Sequence, residues 1–185
     1  MKYKIIYADP AWIYQDKANA GKRGAEHKYK CSTIEEMGKI DLNAADDSIL
    51  LMWVTFPQLP EGLKLMKLWD FEYKTVAFTW VKTNPQTNSF FMGMGRYTRS
   101  NPEICLLGKK GKGVSRKSCN VLNLQIHKIR NHSRKPDAIR NEIIKLFGDL
   151  PRVELFSRIK LENWDAVGDE VPKETQRLVT HPETE

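Results

Sequence analysis

The sequence predicts an α/β fold, because β-rich runs alternate along the chain with segments of helical periodicity. Three such runs lie at Lys4 to Ala8, Ser48 to Thr55 and Lys74 to Lys82. The length of 185 residues suits one domain of ordinary size. We therefore expect a single domain over residues 1–171 and a polar tail over residues 172–185.

The first half of the chain predicts two helices between these strands. A short helix is expected to begin at Ser32 or Thr33, because two glutamates follow at the spacing of a capping box. From Pro57 to Trp69, apolar residues recur at helical spacing. This second helix is long enough to cross over between parallel strands.

The second half predicts two further strands and the best helix of the chain. A strand is expected from Glu103 to Leu107 and another from Arg152 to Phe156. The helix follows Lys135, with Pro136 at its first position and one apolar face before Gly148.

Two long segments, residues 15–31 and 84–102, match neither helix nor strand. Both combine glycine with basic and aromatic side chains, a composition suited to gripping phosphates and stacking bases. The alternative is a pair of solvated surface loops. A denser basic run over residues 109–117 indicates a solvated hairpin or linker.

Charge and cysteine usage narrow the functional classes. The net charge of +7 and the isoelectric point near 9.3 suggest a polyanionic partner. Three cysteines without metal-ligand spacing indicate neither a disulfide framework nor a zinc site, as expected in the reducing cytosol.

No apolar run reaches the roughly 18 residues of a membrane span, so we expect a cytoplasmic protein. A nucleotide-binding oxidoreductase is disfavoured, since no GxGxxG follows a strand.

The motif Asp9-Pro10-Ala11-Trp12, where the first strand ends, points to chemistry on an amino group. An exocyclic amino nitrogen is a poor nucleophile because its lone pair is delocalised into the ring. The Asp9 carboxylate and the Pro10 carbonyl can each accept one N–H and disperse the positive charge that develops during alkylation. The Trp12 ring offers a stacking face for an extruded base. The structural alternative is an Asx-Pro turn with a packed tryptophan.

Further motifs follow in a fixed order. They are Trp80-Val81-Lys82, Arg99 followed by Glu103, His132-Ser133-Arg134-Lys135-Pro136-Asp137, Glu154-Leu155-Phe156-Ser157-Arg158, and Trp164 ahead of Gly168-Asp169-Glu170. Over residues 3–171 the chain resembles the MT-A70 family of S-adenosylmethionine-dependent adenine-N6 methyltransferases. It is most similar to the compact phage and prophage members, which share the Lys22-Arg23-Gly24-Ala25 and Gly93-Met94-Gly95 segments.

The resemblance implies a Rossmann-like αβα methyltransferase sandwich in permuted order, with the catalytic strand first and the cofactor strand near the C-terminus. It implies the following site residues. The catalytic residues are Asp9, Pro10 and Trp12; S-adenosyl-L-methionine is bound by Ala8, Asp9, Ser133, Lys135, Glu154, Phe156, Arg158, Asp169 and Glu170; and the substrate is bound by Lys22, Arg23, Trp80, Lys82, Arg96, Tyr97 and Arg99. Lys135 would pair with the cofactor's carboxylate where a helix begins. Arg158 could equally be a structural ion-pair partner.

Two positions depart from the family pattern. Ala11 replaces a usual second proline, which leaves the chemical groups intact, and Asp169 replaces a usual asparagine, which turns a donor-acceptor into an acceptor. We expect methyl transfer to adenine N6 in DNA after base flipping. RNA methylation and a catalytically silent nucleic-acid-binding subunit are the alternatives, and a homodimer or partner subunit is open.

Overall fold

The computed structural model describes residues 1–12, 33–130, 134–168 and 171–172. Within these residues, seven strands form one sheet in the order β5-β3-β4-β2-β1-β6-β7. The strands are β1 (Tyr3–Ala8), β2 (Ala44–Val54), β3 (Glu72–Thr83), β4 (Glu103–Lys110), β5 (Leu124–Lys128), β6 (Arg152–Leu155) and β7 (Asp165–Val167). The helices are α1 (Ile34–Gly38), α2 (Leu59–Leu68), preceded by a 3-10 turn at Phe56–Gln58, and α3 (Ala138–Phe147).

Helices cover both faces of the sheet, which makes a three-layer sandwich. Met37 of α1 and Leu65 of α2 pack in one core cluster, whereas Ile143 of α3 packs in the other. Side chains along β1 alternate between these clusters, as the two-residue period of a strand requires: Ile5 and Tyr7 face α3, and Ile6 and Ala8 face α1 and α2. The sheet is therefore buried on both sides around β1.

Strand β1 lies at the centre of the parallel part of the sheet. It pairs in parallel with β2 on one side and β6 on the other, while β4 runs antiparallel between β2 and β3. The connections that lead to β2 and to β6 carry helices on opposite faces. A crevice is expected outside the carboxyl ends of strands at such a reversal of order. The carboxyl ends of β1 and β6 lie at this expected crevice.

The predicted fold class is confirmed, and each predicted element is present. The capping box forms at Thr33: the Glu36 amide donates to Thr33 Oγ1 at 3.1 Å, and the Thr33 amide donates to Glu36 Oε2 at 2.7 Å. Helix α3 begins at Ala138, two residues later than expected. The basic run over residues 109–117 begins at the end of β4 and continues through a turn, in which Gly111 and Gly113 have positive φ.

Two short strands were missed by the sequence analysis. Strand β5 is an edge strand with exposed Leu124 and Ile126, and β7 has only three residues. Neither has enough apolar residues to predict a strand without its neighbour in the sheet. Among the described residues, no helix is long and apolar enough to cross a membrane.

Candidate active site

Asp9 lies at the carboxyl edge of the sheet, directly after β1. Its amide donates to the Leu155 carbonyl at 3.5 Å, which extends the pairing of β1 with β6 by one residue. Because Ala8 faces α1 and α2, the strand alternation turns the next side chain toward the α3 face. The Asp9 carboxylate is consequently presented at the crevice between β1 and β6, with one third of its side chain exposed (33%).

A chain of alternating charges connects Asp9 to three other elements. Lys135 Nζ, in the segment before α3, lies 2.8 Å from Asp9 Oδ1 and 3.1 Å from Glu103 Oε2. Glu103, the first residue of β4, also accepts from Lys82 Nζ at the end of β3, at 2.6 Å. Lys135 and Glu103 are both buried. Two carboxylates and two ammonium groups thus neutralise one another along this edge of the sheet.

Burial and this network of charges raise the pKa values of Asp9 and Lys135 and lower the pKa of Glu103. Burial raises the pKa of Asp9 above its ordinary value, although the Lys135 ammonium and, more weakly, Arg158 oppose the rise. Burial acts to lower the pKa of Lys135, but Asp9 and Glu103 outweigh it, so the pKa of Lys135 is raised. Burial also acts to raise the pKa of Glu103, which Lys135 and Lys82 together hold below its usual range. Lys135 therefore stays protonated at neutral pH.

The tryptophan of the Asp9 motif is buried rather than presented to a ligand. Trp12 packs in the cluster beneath α1 and α2, and its Nε1 donates to the Trp53 carbonyl at 3.3 Å. Trp12 as a whole residue is 6% exposed, so a base cannot stack on the face of its ring in this conformation. The stacking role stays a prediction that requires Trp12 to move. Pro10, next to Asp9, is also buried.

The turn after β6 has a backbone conformation that marks it as a constrained part of the crevice. Phe156 has a φ of 60°, which is costly for an aromatic residue, and its ring stacks on Trp69 with centroids 6.5 Å apart. A side chain at Gly168 would place its Cβ 2.0 Å from the Ser157 carbonyl oxygen. The Ser157 amide donates to the Val167 carbonyl at 3.0 Å. Only glycine allows this approach, so residue 168 holds the turn against β7.

Glu154 is committed to a structural ion pair. Arg140 on α3 donates to it twice, from Nε at 2.7 Å and from Nη2 at 2.6 Å, and both side chains are about 8% exposed. Arg140 Nη1 donates further to Asp137 Oδ1 at 2.9 Å. Glu154 points toward α3 and pairs with Arg140, and its contact with the cofactor stays a prediction.

The predicted substrate-binding residues fall into two groups. Trp80 is buried, and its Nε1 donates to the His127 carbonyl at 3.0 Å, so its ring packs in the core and is not available to a base. Lys82 lies over the Trp80 ring, 5.1 Å from its centroid, and reaches Glu103. Arg96, Tyr97 and Arg99 are exposed on the segment between β3 and β4. The predicted residues Lys22, Arg23, Ser133, Asp169 and Glu170 lie outside the described residues.

Sequence reasoning missed the roles of Glu103 and Arg140. Glu103 was noted only as part of a motif, although an acidic residue that opens an apolar strand is an available signal for a buried charge. Arg140 had no comparable signal, because its partner Glu154 is 14 residues away and on another element. In the described part of the chain, no cluster of His, Cys, Asp or Glu is placed to hold a metal ion.

The mixed sheet, the helices on both faces and an acidic Asp-Pro site at the carboxyl edge are those of a Rossmann-like methyltransferase. The MT-A70 family profile matches residues 3–170, and the chain belongs to this family. The predicted family is thereby confirmed.

Individual relatives show how far this similarity extends. The chain is 38% identical to Type II methyltransferase M.MunI of Mycoplasma sp over 98% of this chain and 83% of that protein. It is 29% identical to the human N(6)-adenosine-methyltransferase catalytic subunit METTL3 over 92% of this chain. It is 23% identical to an MT-A70-like N(6)-adenosine-methyltransferase of Arabidopsis thaliana over 91% of this chain. The chain spans about a quarter of the length of the last two relatives, 28% and 24%.

Proposed function

We propose that this protein transfers a methyl group from S-adenosylmethionine to the N6 amino group of adenine in DNA. The observation that carries the proposal is the Asp9 carboxylate. It stands partly exposed at the carboxyl edge of β1, beside the turn that follows β6 and within 2.8 Å of a buried lysine. A carboxylate so placed is an acceptor for a bound amino group at a sheet position where methyltransferase ligands are expected.

The chemistry asked of the protein is polarisation and positioning. One N–H of the adenine amino group would donate to the Asp9 carboxylate and the other to the Pro10 carbonyl, which favours a pyramidal nitrogen with an available lone pair. As the methyl group leaves the sulfonium, which becomes a neutral thioether, positive charge develops on that nitrogen. The nearby carboxylate would stabilise this charge until one N–H proton is lost. Asp9 must be ionised for this role.

The residues at the carboxyl edge of the sheet fit S-adenosylmethionine, the cofactor that the family implies. S-adenosylmethionine supplies an electrophilic methyl group on a sulfonium. Lys135 has three donors and lies just before the first turn of α3, which suits it to a carboxylate. The turn at Phe156 and Ser157, held by Gly168, offers backbone groups at the end of β6. Ser133, Asp169 and Glu170 remain proposed contacts.

The ion pair between Asp9 and Lys135 links the proposed binding site of the substrate to that of the cofactor. The carboxylate of a bound cofactor would compete with Asp9 for the Lys135 ammonium. Asp9 would then be more available to accept a hydrogen bond from the amino group of adenine. Glu103 stays as the second partner of Lys135 and keeps the ammonium charged and in place. Binding of the cofactor is thus expected to prepare the carboxylate for the substrate.

DNA is preferred to RNA because this chain matches most of the length of the relative M.MunI. That relative is a Type II methyltransferase, a name that belongs to DNA modification, and 83% of its length is matched. The N(6)-adenosine-methyltransferases are matched over only about a quarter of their length. The net charge of +7 suits either nucleic acid. A cytoplasmic location fits this function and stays a prediction.

A methyl-transfer assay tests the proposal. The protein is incubated with labelled S-adenosylmethionine and, in parallel, unmethylated duplex DNA, single-stranded DNA and RNA, and the products are digested to nucleosides. We expect label in N6-methyladenine from DNA, and none with the Asp9→Asn variant. Label mainly in RNA would overturn the choice of substrate. Cofactor binding without transfer to any nucleic acid would favour a silent subunit, or one that requires a partner.

A further inference from the structure

Residues 90–100, which we call the arm, project from the catalytic edge as a narrow, hydrogen-bonded loop. Gly93 and Ser100 exchange backbone hydrogen bonds at 2.7 and 3.2 Å, so the two sides of the arm pair with each other. A Cβ at Gly95 would lie 1.9 Å from the Thr98 carbonyl oxygen, and therefore the tip can close only with glycine there. The arm has a defined turn at its end.

Asn101 fastens the base of the arm to the strand that carries Lys82. Its Oδ1 accepts from the Lys82 amide at 2.9 Å, and its Nδ2 donates to the carbonyls of Lys82 at 2.9 Å and Phe91 at 2.5 Å. The side chain of Lys82 reaches Glu103, which contacts Lys135 and through it Asp9. The arm is therefore anchored to the same edge that presents the catalytic carboxylate.

The exposed surface of the arm is both apolar and basic. Met94 and Tyr97 at the tip are 84% and 92% exposed, and Phe90 and Met92 are exposed along its length. The segment 84–102 contains Arg96 and Arg99 and no aspartate or glutamate. Large apolar side chains are rarely left so exposed without a binding role, and the two arginines complement a polyanion.

A protein that removes a base from a duplex must compensate for the lost stacking. Minor-groove binders do so by inserting apolar side chains between base steps, while basic residues hold the adjacent phosphates. The arm combines these two features close to the carboxylate that would receive the base. We infer that the arm tip, Met94 and Tyr97, inserts into duplex DNA at the target adenine and holds that base out of the helix, with Arg96 and Arg99 on the flanking phosphates. This inference rests on the proposed function.

The test compares two duplexes that differ only in the cost of flipping the base. The methylated site is read from DNA modified by the unchanged protein, and two oligonucleotide duplexes of that site are made. In one the target adenine is paired with thymine, and in the other it lies opposite an abasic position. For the double variant M94A/Y97A we expect a loss of transfer on the order of tenfold on the paired duplex. On the abasic duplex the rate should return to within about threefold of the unchanged protein, since the target adenine has no base pair to break.

Two control variants separate insertion from other roles. L124A/I126A removes exposed apolar side chains from β5, outside the arm, and should transfer normally to both duplexes. R96Q/R99Q should lose transfer equally on both duplexes and show a weaker salt dependence, as expected for phosphate contacts. Fluorescence of 2-aminopurine at the target position gives a readout without transfer: it should rise with the unchanged protein and not with M94A/Y97A.

The inference is overturned if M94A/Y97A transfers normally to the paired duplex, or if it loses the same factor on both duplexes. An equal loss together with a changed molecular mass in solution would assign the arm to a protein interface instead. Failure of the unchanged protein to methylate either duplex would refute the proposed function itself, which is a different result.

Discussion

Two clusters of buried charge flank the start of α3, and they differ in how completely their groups are satisfied. In the first, Lys135 shares its ammonium between Asp9 and Glu103, and a third of the Asp9 side chain remains exposed. In the second, Arg140 holds Glu154 by two parallel hydrogen bonds, and neither side chain is accessible to a ligand. The segment from Lys135 to Arg140 contributes to both clusters.

The difference shows how one short segment can serve both chemistry and stability. A bidentate guanidinium–carboxylate pair has a fixed geometry and few donors left over, so it suits a structural role. An ammonium is a point charge with three rotatable donors, and it can exchange one carboxylate for another. We call the cluster of Asp9, Lys135 and Glu103 the open cluster, because it can accept a ligand. The pair of Arg140 and Glu154 is the closed cluster, which keeps α3 in place beside the open one.

The largest expected effect is the loss of transfer in Asp9→Asn. The amide cannot supply the negative charge that stabilises the developing cation, so we expect the rate to fall by at least about 10³-fold. The free energy of unfolding should change by less than about 1 kcal/mol, because Lys135 keeps Glu103 as a partner. Steady-state methyl transfer and urea unfolding measure the two quantities. Asp46→Asn, an exposed aspartate paired with Lys2, is the matched control; an active Asp9→Asn enzyme would contradict the proposed role.

Removal of one partner of the closed cluster should affect stability instead. Arg140→Leu leaves Glu154 buried without its counter-charge, and we expect unfolding to become easier by about 3–5 kcal/mol. The double variant R140L/E154L should recover most of this loss, because it removes both charges. Urea denaturation midpoints provide the measurement. If the single and double variants were equally destabilised, the ion pair would not be the cause.

A smaller effect is expected for Glu103→Gln, with a signature in the pH profile. The loss of one partner should make the Lys135 ammonium group more mobile. We therefore expect the transfer rate to fall on the order of tenfold at neutral pH. The acidic limb of the profile reports ionisation of Asp9, whose pKa is raised, so transfer falls as pH falls through that raised value. Because the Glu103 charge contributes to the rise, its removal should move this limb to lower pH.

The control for this prediction is Glu72→Gln, which changes an exposed glutamate at the opposite end of β3. It should leave both the rate and the pH profile unchanged. An acidic limb that stays in place in Glu103→Gln would show that Glu103 does not act on Asp9 electrostatically.

The smallest effect is expected for Asp137→Asn within the second cluster. Asp137 accepts from Arg134 and Arg140, but its side chain is 41% exposed and screened by solvent. We expect a loss of at most about 1 kcal/mol of unfolding free energy, measured by urea denaturation. A loss as large as that of Arg140→Leu would mean that the cluster acts as a unit and not through the Arg140–Glu154 pair alone.

Local sequence patterns were sufficient for the elements whose own residues bury a face. Strand β1 and helix α3 have continuous apolar patterns, and the capping box at Thr33 depends on residues three apart. The Asp9 motif was also readable, because the end of a strand and the chemistry of a carboxylate and a carbonyl are local properties. These interactions form within a few residues, so the sequence by itself determined the class of fold, the family and the position of the carboxylate for which we propose a catalytic role.

The tertiary structure decided the features that depend on residues far apart in the chain. Asp9 meets Lys135 across 126 positions, and Trp80 is buried because β5 supplies the carbonyl that its indole needs. The same long-range packing turned Glu154 toward Arg140 and left the arm exposed beside the site. Which partner a charged or aromatic side chain finds is set by the order of strands in the sheet, and local propensity carries no information on that order.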